Sequence, residues 1–419
     1  MTKTEIVLFF SAFSLFAADH KITAVRFGKL WDGEKVIANA LVTIDGDRVI
    51  KVESGNVAAP AGAAVVDWSR YTGIPGMIDV HTHMTYVWDR APGTRPLGQV
   101  RMPAVTVFLA QENARKTLAA GVTTVRDLGS QDYTDMAMKE LIDRGAMAGP
   151  RMFVCGYGLT VSRRGQRLDA PAPAGGGIAD GPEEVIKVVR HLIANGVDVI
   201  KMYGSIGGFN NVGTQQTYTY EEMKAAAETA HVMGKKIAIH SYGPEGARDA
   251  VRAGADSLEH AIGIDDATLA EMVKRGTVYV PTIDHNRYYV EAASEYAFPE
   301  GSLAGLNEYI KENLKTARRA LKAGVRFAMG SDAVFTMFGQ NTRELGWFVK
   351  AGMTPEQALK TATVNAAELL GKPRDLGSVK PGFFADMVAL DGDPLTDIQV
   401  AIDKVRGVMK GGKVVSNVQ

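Results

Sequence analysis

The 419-residue chain has a single cysteine, Cys155, and no net charge. One thiol excludes an intrachain disulfide and any thiolate-rich zinc or iron–sulfur site. Lys plus Arg and Asp plus Glu number 47 each, so there is no basic excess to neutralise phosphates. That argues against nucleic acid as a partner. Long apolar runs are also missing. The one candidate, Ile6 to Ala18, falls short of the roughly 20 residues that span a bilayer, so no membrane partner is expected. Neither a Walker-type loop nor a dinucleotide glycine fingerprint links a strand to a helix.

The rest is ordinary globular material, with 46% hydrophobic and 22% charged residues, which excludes extended disorder. Glycine is abundant, at 45 residues, and implies many tight turns. Residues 1–18, with Lys3 before the apolar run and Ala17 and Ala18 after it, suit a secretory signal. The expectation is therefore an exported protein, periplasmic or secreted. A buried amino-terminal strand in a cytoplasmic protein is the alternative.

Residues 19–74 alternate apolar and polar positions and break at Gly and Asp, as short strands do. Residues 376–419 look alike, so the two ends are expected to pair as one small β-sandwich domain. Between them, over 75–375, a pattern recurs. A helical stretch ends in Gly and an apolar strand follows, as in LAAGVTTVRDL, ANGVDVIKMYG, VMGKKIAIHSYG, RAGADSLEHAIG, KRGTVYVPTI and KAGVRFAMGSDA. Gly fits the left-handed position that closes a helix. Continuous apolar strands belong to a parallel sheet buried on both faces. With IPGMIDVHTHM and PRMFVCGYGL the count is eight strands, so the fold class is α/β. A (β/α)8 TIM barrel is expected, with a doubly wound sheet as runner-up.

The unusual polar residues sit at strand ends. Lys201 is five after Gly196, His240 six after Gly234, His260 six after Gly254, and Asp332 eight after Gly324. Strand ends form the carboxyl-terminal rim of a barrel, where active sites are built. His81 and His83 end the first barrel strand two apart, so both imidazoles share one face and make half of a zinc site. A lone His-x-His occurs by chance. Two more histidines and an aspartate on later strand ends turn it into a metal cluster, although Asp332 alone would read as a helix cap. Lys201 stands on a buried strand, where an ammonium tends to lose its proton. The neutral amine can capture carbon dioxide as a carbamate whose oxygens bridge two metals. The bland alternative is a lysine with its head in solvent.

The motifs GMIDVHTH (76–83), IKMYGS (200–205), IAIHSYG (237–243), SLEHAIG (257–263) and MGSDA (329–333) together resemble the amidohydrolase superfamily. The resemblance is to its binuclear branch with a carboxylated lysine. GSVKPGFFADMVALDGDP (377–394) resembles the family's return to the small β-domain. Within the superfamily the chain is similar to the group of Xaa-Pro dipeptidases, imidazolonepropionase-like proteins and ochratoxinase. The resemblance implies two divalent ions, with zinc as the expected metal. His81, His83 and Asp332 would hold one ion and His240 and His260 the other, with N6-carboxylated Lys201 and a hydroxide bridging both. It implies that Asp332 carries the proton from the hydroxide to the leaving nitrogen, and that the protein is a homo-oligomer.

Four residues are expected to meet the substrate, a small-molecule amide. Tyr242 follows a ligand by two and matches a substrate-contacting tyrosine of the dipeptidases. His285, read as lying in a loop after the seventh strand, would bind a substrate carboxylate with Arg287. Tyr203, beside Lys201, is a weaker candidate. The stretches 159–177, with Arg163, Arg164 and Arg167, and 206–219 are candidate lids. No histidine falls between His83 and His191, which departs from the dipeptidase pattern. The leading expectation is hydrolysis of a dipeptide-like or N-acyl amino acid amide, including an ochratoxin-type amide that releases phenylalanine. Opening of a cyclic amide or imidazolone ring and Xaa-Pro dipeptide cleavage are the alternatives. Single-metal deamination, which would use Glu245 and leave Lys201 idle, and a non-enzymatic scaffold come last.

Overall fold

A computed structural model describes residues 22–90, 101–162, 176–205, 215–296 and 301–417. The leader 1–18, the three arginines of the 159–177 stretch and most of the 206–219 stretch lie outside the described residues. The chain opens with β1 (Ile22–Trp31), β2 (Val36–Asp45), β3 (Arg48–Glu53) and β4 (Ala64–Pro75). Seven short strands follow: β5 (Met77–Thr82), β6 (Val122–Asp127), β7 (Arg151–Val154), β8 (Val199–Tyr203), β9 (Lys236–Ser241), β10 (Ser257–His260) and β11 (Val278–Val280). The chain closes with β12 (Met387–Leu390), β13 (Val405–Lys410) and β14 (Lys413–Asn417).

Both ends build one seven-stranded sheet in the order β14-β13-β12-β4-β1-β2-β3. The ends meet where β4 pairs antiparallel with β12, Ile74 opposite Val388. The expected sandwich is therefore a single continuous sheet. It curls on itself, because the β2–β3 turn reaches back to the approach to β12. The Ala385 N–H donates to the Asp47 carbonyl at 2.8 Å, and Val49 N–H to the Phe383 carbonyl at 3.0 Å. Its concave face has a core of its own, in which Phe27 packs on Trp68 with ring centres 5.6 Å apart beside Leu30, Met387 and Met409. Burial of each such side chain contributes about 1.5–3 kcal/mol.

The seven middle strands are parallel. Every residue of β5 and β6 is buried, as expected of strands covered on both faces. Helices pack outside them. The helix Tyr220–Val232 starts on a capping box of Thr219 and Glu222, and the helix Ser302–Ala323 ends at Gly324 with φ +84°. The strands form two sheets, β5-β6-β7 and β8-β9-β10-β11. Single bridges span the gaps. Leu159 pairs with Met202 on one side, and on the other Tyr279 pairs with Phe327 and Thr82 with Ala333. The expected eighth strand, within VRFAMGSDA, makes only these isolated pairings. The left-handed Asp332 (φ +53°) breaks its regular backbone. The fold is mixed α/β and TIM-barrel-like, with a separate sheet domain.

Candidate active site

The carboxyl ends of β5, β8, β9 and β10 and the turn after residue 330 open on one cleft of about 210 Å³. It is lined by His81, His83, Lys201, His240, His260 and Asp332, all buried. Backbone contacts register the parts. Asp332 N–H donates to the His81 carbonyl at 2.7 Å and His83 N–H to the Ala333 carbonyl at 3.0 Å, so both arms of the cluster lie side by side.

Hydrogen bonds settle the tautomers of the first two rings. His81 Nδ1 lies 2.7 Å from a Glu259 carboxylate oxygen, and His83 Nδ1 lies 3.2 Å from the Gly129 carbonyl. Both partners accept, so both Nδ1 atoms carry the proton. Burial, then Lys201, lowers His81 to about 4, so it is neutral. Burial alone would raise the Glu259 carboxyl, but the Arg126 guanidinium and the His81 ring bring it to about 2. His81 Nε2 is then a bare lone pair with no hydrogen-bond partner, 3.6 Å from Asp332 Oδ1, and His83 Nε2 is 3.2 Å from the same oxygen. Burial opposes ionisation of Asp332, yet the imidazoles clustered around it, that of His285 first, hold its carboxyl well below the usual carboxylate range. Two imidazole nitrogens gathered on one carboxylate are ligand atoms of the kind that hold a divalent cation. Among the described residues this trio forms a group that could hold a metal ion.

The other ligand candidates crowd the same mouth. The His260 ring centre is 4.9 Å from that of His81 and 4.4 Å from that of His240. Ser257 and Glu259 turn inward, both bonded to Arg126. A regular strand would therefore point His260 the other way. Its φ of +73° redirects the ring, and Thr282 Oγ1 holds its Nδ1 at 2.7 Å. Lys201 is fully buried, its Nζ has no hydrogen-bond partner, and burial lowers its pKa. The amine sits 5.0 Å from the centre of the Tyr203 ring.

Of the four substrate candidates, three line the cleft. Tyr242 stacks on His260 with ring centres 5.1 Å apart, and Tyr203 shares a hydrogen bond with Tyr86. His285 places Nε2 3.5 Å from Asp332 Oδ2, from the helix Ile283–Glu291 rather than from a loop. That helix corrects the expectation for Arg287. Two residues on, its side chain leaves from another face. Its guanidinium is held by Asp284 at 2.6 Å, by Glu291 and by Gln340 at 3.1 Å, and it does not line the cleft. Sequence reading missed an aromatic wall. Tyr86 stacks on His83 at 4.5 Å, Phe335 lies behind Tyr86, and Tyr289 packs on His285 at 4.6 Å. It also missed Glu259, although that residue stands next to a candidate ligand. Cys155 is buried, as expected of an apolar filler.

A hydrolase acting on carbon–nitrogen bonds is the class that the fold, the His-His-Asp trio and the comparisons with known proteins support together. The chain belongs to the amidohydrolase family, which it matches over residues 72–415. That family is generally metal-dependent. Ochratoxinase from Aspergillus niger is 29% identical over 427 aligned residues, covering 94% of this chain and 86% of that protein. Its crystal structure superposes with a TM-score of 0.82 at 27% identity, covering 95% of this chain and 96% of that one. Imidazolonepropionase from Geobacillus kaustophilus is 26% identical, covering 91% of each chain. A Xaa-Pro dipeptidase crystallised with bound methionine superposes with a TM-score of 0.85 at 29% identity, covering 95% of this chain and 100% of that one.

Proposed function

We propose that this protein is a binuclear, zinc-type amidohydrolase that cleaves the amide bond of an N-acyl amino acid or dipeptide-like substrate. The observation that carries the reading is the buried convergence of His81 Nε2 and His83 Nε2 on Asp332, beside the buried, unpartnered Lys201 amine. His81, His83 and Asp332 would hold one divalent cation and His240 and His260 a second. Lys201, carboxylated on Nζ, would offer one oxygen to each. Bound there, the cations would supply Lewis acidity, polarising the scissile carbonyl and lowering the pKa of attacking water to about 7.

The protein's own groups do the rest. Asp332 takes the proton of the attacking water and returns it to the leaving nitrogen, because an amide nitrogen leaves poorly as an anion. Tyr242, stacked against His260, donates its hydroxyl to the carbonyl oxygen or to a substrate carboxylate. The leaving nitrogen must lie within reach of Asp332. The side chain attached to it would then meet the cleft's less polar lining, Val334, Phe335, Tyr289 and Tyr86. An aromatic amino acid such as phenylalanine suits this wall, as the similarity to ochratoxinase also suggests. We further read 19–74 with 376–419 as one domain and 75–375 as the eight-unit catalytic barrel.

The test is a zinc-loaded sample given N-acyl-phenylalanine, Xaa-Phe, Xaa-Pro and cyclic amide substrates. The expected result is the highest kcat/KM on an aromatic leaving amino acid. A clear preference for the cyclic amide would replace this reading with ring opening, and one for Xaa-Pro with dipeptidase activity. A folded chain that takes up no divalent ion would end it.

A further inference from the structure

We infer that Arg126 and Glu259 are a positioning pair that orients and strengthens one histidine alone, His81, and so makes one of the two metal positions tighter than the other. The inference rests on the binuclear reading above. Arg126 is buried, and each of its three nitrogens has a job. Nε donates to the Val80 carbonyl at 2.5 Å, one residue before His81; Nη1 donates to Ser257 Oγ at 3.0 Å; and Nη2 donates to Glu259 Oε1 at 2.9 Å. The other Glu259 oxygen receives the His81 Nδ1–H at 2.7 Å. The pair thus ties β5 to β10, strands that are not neighbours in either sheet.

The effect is one-sided because the ring partners differ. His83 gives its proton to a neutral carbonyl, that of Gly129, and His260 bonds to a neutral hydroxyl, that of Thr282. Among these three imidazoles only His81 hydrogen-bonds a carboxylate through its Nδ1. A carboxylate behind a ligating imidazole fixes its tautomer and raises its basicity, and losing such a partner weakens metal affinity about 10–100-fold.

The experiment follows zinc release from the loaded full-length protein into a chromophoric chelator, comparing wild type with Glu259→Gln. Because a neutral amide in place of the carboxylate would strand the Arg126 charge, the double variant Arg126→Met, Glu259→Gln is run in parallel, leaving the amide oxygen free for His81. The expected result in whichever variant folds is that one of the two zinc ions leaves about 10–100-fold faster and the other at the wild-type rate. Two ions leaving at wild-type rates would overturn the inference. So would equal acceleration of both, which marks general loosening. A wild-type chain that binds no zinc would instead defeat the binuclear reading, so the two failures are distinguishable.

Discussion

The Glu344 carboxylate accepts the Asp284 backbone N–H at 2.8 Å, and its other oxygen accepts that of Ile283 at 2.9 Å. A fully buried acid therefore caps the helix that delivers His285 to the cleft. Burial pushes Glu344 from 4.5 up to about 8, despite the two N–H donors. The folded state thus holds this proton more tightly than the unfolded chain. Its contribution to stability is complete below pH 4.5 and is lost as pH rises to about 8. Glu344→Gln should flatten that part of the pH dependence, by an amount on the order of a few kcal/mol. Melting curves of both proteins across this window are the check, and parallel slopes would refute it.

Lys201→Ala should leave at most one divalent ion per chain and reduce kcat by about 100-fold or more, since the two-metal arrangement would lose its bridge. Metal analysis alongside kinetics decides. Two ions per chain with near-full turnover would sink the carbamate assignment.

Asp332→Asn should lower kcat by about 10²–10⁴ while KM changes less, the signature of a lost proton carrier. Steady-state kinetics on metal-replete samples measure this. An unchanged kcat would exclude Asp332 as the shuttle.

Gly330→Ala should damage the site from behind. A Cβ there would lie 2.5 Å from Val280 Cγ1 and 2.7 Å from His81 Cβ, both anchored in the sheet. Overpacking of this kind costs about 1–3 kcal/mol, so a lower Tm is expected together with weaker metal retention. A variant with wild-type Tm and metal content would show that the wall gives way freely.

Arg287→Ala should separate stability from binding. The guanidinium answers the buried Asp284, so its loss should lower Tm, by about 3 kcal/mol or more of stability if Asp284 keeps its charge. KM should stay within about twofold, as expected when no substrate contact is lost. A large rise in KM at unchanged Tm would return Arg287 to the substrate.

The candidate ligands were legible because four of them fall five to eight residues after a helix-closing glycine, near the end of the strand that follows, and His81 and His83 share one face of another strand. His81, His83, Lys201, His240, His260 and Asp332 all line one cleft. Arg287 was not legible, because VPTIDHNRYY reads equally as loop or helix. The helix Ile283–Glu291 depends on a cap supplied by Glu344, 60 residues from Asp284 in sequence. Tyr86, Tyr289 and Phe335 follow no shared spacing, and tyrosines fill cores as often as clefts. Glu259 was hidden by strand alternation. Placing His260 inward implied that Glu259 faced the helices, and only the left-handed backbone at His260 lets both point in.

The pairing of Thr82 with Ala333, and of His81 with Asp332, has a consequence for biosynthesis. The first candidate ligands, His81 and His83, leave the ribosome long before the aspartate beside them, and β4 likewise waits for β12. No nascent intermediate can bring these three groups together, so the candidate site is incomplete until translation has passed residue 333. Any cation held by that trio would then be captured late, only by chains that have completed their barrel-like middle.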